Sequence, residues 1–254
     1  MHKQTFRINI LVIILFIVTA INQYLYSQQK DVVIYSGTIK NDLGEPIGTE
    51  IRFVTDNTAP NIARSNADGT YQIVVPQNKI YLPIFKGYVE VGGFQEIKVE
   101  NYNKYQEIKK DFIIRQLKEG IIISDLKLFD DNDTLLKDDA IKFFKKFKDF
   151  YLLNKNSNFL LKLSAPNLKF KPSTKSQQVE VKGKMKNKQV KISAKDVEKE
   201  FLQSRANQIQ KVITELQLPL KLFTYEFIFP QKIINKKMGF TDTEISINKI
   251  LKLN

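Results

Sequence analysis

The apolar period of this chain changes near residue 115, and that change governs what each half can fold into. Before it, "VVIYSGTIK", "TEIRFVT", "TYQIVVP", "KIYLPIF" and "QEIKVE" are short β-branched and aromatic runs separated by Gly, Pro, Asn and Asp, the pattern of strands joined by turns. "NDLGEPIG" and "NADG" predict tight turns in which Gly44 and Gly69 supply backbone freedom. Short strands at this spacing predict a small all-β antiparallel sandwich over residues 28–115.

After residue 115, "LLKDDAIKFFKKFKDFYLLN" sets Ala140, Phe143, Phe144, Phe147, Phe150 and Tyr151 at helical spacing opposite Lys142, Lys145, Lys146 and Lys148. This predicts an amphipathic helix with an apolar core stripe and a solvated lysine face. Asp138 and Asp139 suit its first turn, where the helix dipole favours negative charge. "IIISDLKLF" ahead of it and "NFLLKLS" after it read as strands. A second helix is expected from about Val197 to Leu216, with Val197, Phe201, Ile209, Val212, Ile213 and Leu216 on one side, and "LKLFTYEFIF" alternates again as a strand. The order strand, helix, strand, helix, strand predicts an α+β domain over residues 116–254 with helices packed on one face of a sheet.

Charge divides along the same line. Residues 1–27 contribute +2, residues 28–115 hold 11 basic and 11 acidic residues, and the remainder carries +11 of the formal +13. The leader "MHKQTFR" is followed by the 14-residue run "INILVIILFIVTAI", broken only by Asn9. That length falls short of the roughly 20 residues a bilayer span needs and matches a signal-peptide core. Residues 1–27 are therefore expected to be a signal peptide, cleaved after Ser27 or, as the other candidate, after Ala20, with no transmembrane span left afterwards. An uncleaved anchor extending to Leu25 is the alternative.

The chain has no Cys, which excludes disulfides, thiolate metal sites and lipid acylation of a cysteine, and its one His is His2, inside the leader. A mature chain lacks the residues of Ser-His and Cys-His nucleophile pairs and of zinc hydrolysis, so it is expected not to be an enzyme and to use neither metal nor cofactor. Two S-x-x-K spacings survive, Ser124/Lys127 and Ser246/Lys249, but both fall in strand-like runs where residues three apart point to opposite faces, and that chemistry needs a helical turn. The acidic run "DDNDTLLKDD" lacks the glycine and terminal glutamate of a calcium loop.

Two family resemblances follow from particular residues. Gly37-Thr38-Ile39, Gly44-Glu45-Pro46-Ile47-Gly48-Thr49 and Asp68-Gly69-Thr70-Tyr71 resemble the carboxypeptidase-regulatory-like, prealbumin-type sandwich. This resemblance implies a fold and a spacer or docking role, with no catalytic residue. Gly120 through Leu135, with Phe129-Asp130 and Leu135, then the helix closing on Asn154, then Leu202 through Ile213, resemble the OmpA-like C-terminal domain, whose members bind peptidoglycan in the bacterial periplasm. The family's Gly-His-Thr-Asp turn falls here on Ser164-Ala165-Pro166-Asn167, and its Arg-Ala pair on Arg205-Ala206. The resemblance implies that the residues at Asn167 and Arg205 grip the ammonium and carboxylate of diaminopimelate in the peptide stem. Asn167 replaces the family's Asp and removes a charge. Arg205 is the sole Arg after residue 115 in a chain of 35 Lys and five Arg, and a guanidinium can offer a carboxylate two parallel N–H donors that an ammonium cannot. An ordinary surface or buried ion-pair arginine is the other reading.

Two departures mark the member as divergent: the Asn-Arg-Arg closing motif is missing, and the connection from Asn167 to Arg205 is long. The extra length is a Lys-rich insertion at residues 169–195 with nine Lys and one acidic residue. Val179/Val181 and Val190/Ile192 flank "KGKMKNKQ", which predicts a protruding hairpin carrying Lys182, Lys184, Lys186, Lys188 and Lys191 as a basic arm. Anionic glycan, lipid headgroups or an acidic protein are its candidate partners, and a solvated loop is the alternative. Nucleic acid is not expected, because the arm has no aromatic stacking ladder. Together these readings predict an exported, periplasmic envelope protein, peripheral to the outer membrane or wall, with peptidoglycan and envelope proteins as partners. The rival is a scaffold subunit of a secretion or motility complex in which the wall site is vestigial.

Overall fold

The computed structural model describes residues 32–56, 58–102, 105–181, 184–229 and 241–251, together with Ile17 and Thr19. Apart from Ile17 and Thr19, the segment of the signal-peptide expectation lies outside the described residues. The fold is β-rich, with two helices among the described residues after residue 31, and none of the described helices is long and apolar enough to cross a membrane. The chain divides into two compact units. One runs to Lys86 and resumes over Phe94–Arg115; the other comprises Gly87–Gly93 and the chain from Gln116 onward.

The first unit contains β1 (Val32–Asn41), β2 (Glu50–Val54), β3 (Asn61–Arg64), β4 (Thr70–Pro76) and β5 (Lys79–Phe85), then β7 (Ile97–Val99), β8 (Gln106–Lys109) and β9 (Phe112–Gln116); β6 (Tyr88–Glu90) falls in the second. β2 pairs antiparallel with β3 and β5, β7 with β5, and β4 with β1, where Val33 faces Val75 and Gly37 faces Tyr71. The expectation of a purely antiparallel sandwich is corrected here: β8 and β9 both run parallel to β1, in the registers Val33↔Gln106 and Ile39↔Phe112. The two short strands share the edge of β1 that β4 leaves open, and the break between them sits opposite Gly37 and Thr38. There the Lys110 amide donates to Ser36 O at 2.8 Å, and a Cβ on Gly37 would stand 2.1 Å from Lys110 O, so only glycine admits this approach. Gly69, at φ +78°, closes the β3–β4 turn, and its carbonyl accepts from the Ile39 amide at 2.8 Å.

β4 alternates strictly, burying Tyr71, Ile73 and Val75 and exposing their neighbours. Rings from five strands meet in this core: Phe53 lies 5.7 Å from Tyr35 and 6.3 Å from Phe112, and Phe112 lies 5.6 Å from Tyr71 and 5.2 Å from Phe85. At the β8–β9 break, Asp111 accepts from the Thr38 amide at 2.7 Å and hydroxyl at 2.9 Å, and these bonds hold its carboxyl below the usual aspartate range. A lowered folded-state pKa contributes stability that is present above the unfolded value and lost as pH falls through the folded one. Asp111→Asn should therefore unfold more easily than wild type at neutral pH, with the two melting curves converging below about pH 4. Thermal unfolding followed by circular dichroism across pH tests this, and a constant gap down to acid pH would count against it.

The second unit comprises β10 (Ile122–Leu126), α1 (Asp138–Leu153), β11 (Ser157–Ser164), β12 (Ser173–Val181), β13 (Lys184–Ile192), α2 (Ala194–Glu215), a 3-10 turn at Leu220–Leu222, β14 (Phe223–Ile228) and β15 (Thr243–Ile250). Its main sheet has the order β10-β15-β11-β14, with β11 and β14 parallel and β15 antiparallel to both its neighbours. β12 and β13 pair only with each other.

α1 buries Ala140, Phe143, Phe144, Phe147 and Phe150, while Tyr151 is half-buried. Phe147 carries the contact with the sheet, 4.7 Å from Phe159 of β11 and 5.8 Å from Phe223 at the start of β14. Asn154 ends the helix: its amide N–H bonds back to Phe150 O and Tyr151 O, and its Oδ1 accepts from the Gly87 amide at 2.6 Å. α2 begins earlier than expected because the Ser193 hydroxyl accepts from the Asp196 amide and caps it. Its buried face is also rotated from the expected one. Val197, Phe201 and Leu216 are only half-buried, whereas Glu198, Leu202, Arg205, Ala206, Ile209, Val212 and Ile213 are buried. An apolar-period reading assigns the charged Glu198 and Arg205 to solvent, and so misplaces the stripe. Burial raises the Glu198 carboxyl above its ordinary range.

Candidate functional site

Arg205 is 2% exposed on the buried face of α2, where its guanidinium is sandwiched between the Phe129 ring at 4.6 Å and the Phe201 ring at 4.7 Å. It donates to main-chain carbonyls: Nε to Asp133 O at 3.0 Å, Nη1 to Ser164 O at 3.0 Å, and Nη2 to Asp130 O at 2.8 Å and Asp131 O at 3.2 Å. Four of the five N–H donors of a guanidinium are thus committed, and the one that remains is on Nη1. A ligand carboxylate meets a single N–H here, not the planar pair that the family resemblance implies. What Arg205 does in this geometry is tie the loop after β10 to the end of β11. Burial lowers its pKa, opposed by Asp242, Asp131 and Asp133.

The loop is held a second time by Asp242, just ahead of β15. This buried carboxylate accepts from the Leu128 amide at 2.9 Å, the Phe129 amide at 3.1 Å and the Thr243 hydroxyl at 2.8 Å. Burial raises its pKa, against the opposing pull of those bonds and of Arg205.

Between these two anchors the structure brings Asn167 and Arg205 to one pocket. Its walls are Lys127, Asp131, Ala165, Pro166, Asn167, Arg205, Thr241 and Asp242, and its volume is about 40 Å³. A water needs roughly 10–15 Å³ on this measure, so the pocket has room for a small charged end group. Asp131 is its exposed anion: Lys127 Nζ lies 3.0 Å from Oδ1, and Asn167 Nδ2 donates to Oδ2 at 3.1 Å. The Lys127 and Asn167 bonds hold its carboxyl below the usual range. The negative charge missing at Asn167 is therefore present one hydrogen bond away.

Sequence reasoning singled out Asn167 and Arg205 and missed Lys127, Asp131 and Asp242 as pocket residues. Asp131 was in view only as part of an acidic run. Asp242 acts on amides that are distant in sequence, and no local pattern marks it. Of the basic arm, Lys182 lies outside the described residues, Lys184 and Lys186 fall within β13, and Lys188 and Lys191 are exposed on that strand and do not line the pocket. No group of His, Cys, Asp and Glu able to hold a metal occurs among the described residues.

No protein-family model matches the sequence, and no curated protein does. Among solved structures, the chain is similar to a candidate carbohydrate-binding protein from Bacteroides uniformis at 15% identity and TM-score 0.25, over 37% of this chain and 48% of that one. It is also similar to the Bacillus anthracis TIE protein, at 9% identity and TM-score 0.26 over 64% of this chain and 27% of that one. A 9R-lipoxygenase from Cyanothece gives 8% identity and TM-score 0.23, over 49% and 23%. The chain thus spans less than half the length of each of these structures, and likenesses this slight carry no functional argument.

Proposed function

We propose that this is a non-enzymatic, exported protein of the bacterial cell envelope that associates with peptidoglycan through residues 116–254, a divergent OmpA-like domain, taking a zwitterionic end of the stem peptide into the pocket between Asn167 and Arg205. The observation that carries the reading is the meeting of these two residues, distant in sequence, in one small pocket holding both signs of charge. The elements β10, α1, β11, α2 and β14 follow the strand, helix, strand, helix, strand order read from the sequence, with the β12–β13 hairpin inserted before α2 and β15 added after β14. In this pocket Asp131, supported by the Asn167 amide, receives the ligand ammonium, while Lys127 and the spare Nη1 donor of Arg205 receive the carboxylate.

Co-sedimentation with purified sacculi tests the proposal. Wild type should pellet with the wall, and Asp131→Asn should lose most of that retention. Asn167→Asp sets a second carboxylate beside Asp131, so the empty pocket becomes less favourable while an incoming ammonium is held more strongly. A gain of about tenfold in retention is expected, equivalent to about 1.4 kcal/mol. The scaffold reading has one observation in its favour, that Asp131 is already paired with Lys127 at 3.0 Å. Wild type that does not pellet, together with an Asn167→Asp variant that gains nothing, would transfer the case to that reading.

A further inference from the structure

The walls of the pocket between Asn167 and Arg205 carry balanced charge: two cations, Lys127 and Arg205, against two carboxylates, Asp131 and Asp242. One member of each sign is spent on the protein itself. Arg205 gives N–H groups to four main-chain carbonyls, and Asp242 turns both oxygens to the Leu128 and Phe129 amides and the Thr243 hydroxyl. The other two are paired with each other, Lys127 Nζ lying 3.0 Å from Asp131 Oδ1. They are also the members a ligand can reach: their side chains are 45% and 44% exposed, whereas Arg205 and Asp242 are buried.

The two partners of this pair differ in what they can do. The backbone between them is pinned by Asp242 at the amides of Leu128 and Phe129 and by Arg205 at the carbonyls of Asp130 and Asp131. Asp131 has a short side chain whose second oxygen, Oδ2, accepts from Asn167 Nδ2 at 3.1 Å, so its carboxylate stays in place. Lys127 reaches it on a flexible four-carbon stem, so the lysine is the partner with freedom to swing.

We infer that Lys127 is a selectivity residue of this pocket, an internal ammonium that holds Asp131 and yields it only to a ligand bringing a carboxylate together with its own ammonium. The inference rests on the proposed reading of the pocket as a site for a zwitterionic end group. A lone alkyl ammonium gains little here. It must either drive Lys127 into water, exchanging one ammonium–carboxylate pair for another, or share Asp131 with it, which sets two like charges against one carboxylate in about 40 Å³. A zwitterion leaves every charge with a partner: its ammonium takes Asp131, and its carboxylate takes the released Lys127 together with the spare Nη1 donor of Arg205. The ligand class selected is a free α-ammonium carboxylate end, and the class rejected is the side-chain ammonium of a lysine within a peptide.

Titration of the isotope-labelled full chain followed by NMR at the Asn167 side-chain amide tests this with two probes. Nε-acetyl-lysine has an α-ammonium carboxylate as its only charged end, and Nα-acetyl-lysine methylamide has a lone ammonium. Wild type should prefer the first by about twentyfold. Lys127→Gln should bind the lone ammonium about fivefold more tightly and the zwitterion about fivefold more weakly, which removes the preference. Lys127→Arg keeps a cation on Asp131 and should keep it. Lys137 pairs with Asp130 at 3.4 Å and does not line the pocket, so Lys137→Gln removes the same charge nearby and should change the preference by less than about twofold. Circular dichroism of the variants should match wild type. Equal affinity of wild type for the two probes, an unchanged preference in Lys127→Gln, a lost one in Lys127→Arg, or an equal effect of Lys137→Gln overturns the inference while zwitterion binding stands. If neither wild type nor Lys127→Gln responds to the zwitterion probe, the reading of the pocket falls and this inference falls with it.

Discussion

Arg205→Ala is expected to destabilise the second unit by about 3–5 kcal/mol, a large share of the roughly 5–15 kcal/mol that a domain of this kind has in total. Truncation removes the donors to four main-chain carbonyls, those of Asp130, Asp131, Asp133 and Ser164, and empties the space between the Phe129 and Phe201 rings. The buried Ser164 carbonyl would lose its donor without regaining water, and the part-buried carbonyls of Asp130, Asp131 and Asp133 would lose theirs with it. Arg205→Lys should recover little, because one ammonium cannot span carbonyls fanned out around a planar guanidinium. Urea unfolding followed by far-UV circular dichroism reads the change, and a midpoint shift equivalent to less than about 1 kcal/mol would overturn it. The same geometry makes Arg205 variants poor tests of wall binding, since lost retention would follow from lost folding. Asp131 and Asn167 are the informative positions.

Phe147→Ala should cost about as much, 3–5 kcal/mol by the usual scale for deleting a core aromatic ring. The ring is fully buried and touches five others, Phe143, Phe144, Phe150, Phe159 and Phe223, at centroid distances between 4.7 and 6.4 Å. It is the point where α1 meets both β11 and β14, so the cavity opens at the junction of three elements that cannot close on it together. Phe147→Leu should restore roughly half the loss. Equilibrium unfolding with an unchanged denaturant slope is the expected signature, and an altered slope would show that the denatured or native ensemble had changed in extent as well.

The stripe of α1 was legible from sequence because it is long, regular and made of one residue type. The buried face of α2 was not, because Glu198 and Arg205 lie on it and an apolar count rejects charged residues that are buried for the sake of main-chain partners elsewhere. The individual strands β1, β2, β4 and β5 could be read from alternation, yet the parallel seats of β8 and β9 on β1 depend on contacts between distant segments, about which local pattern is silent. The pocket divides in the same way. Asn167 and Arg205 were found through a resemblance that fixes their positions in a motif, whereas Asp242 reaches the Leu128 and Phe129 amides across most of the unit and leaves no local trace.

β15 follows every other described strand of its unit in the chain, yet in the sheet it lies between β10 and β11. As the chain is made, the segments that become β10 and β11 emerge with no partner for their facing edges, and the segment that joins them arrives after the other described strands of the unit. Assembly of this sheet is consequently a late, all-at-once event of high contact order. Until that segment pairs, the facing edges of β10 and β11 have no strand between them. Loss of the β15 segment would leave β10 unpaired and the β11–β14 pair with a bare edge, a species inclined to pair with its own kind.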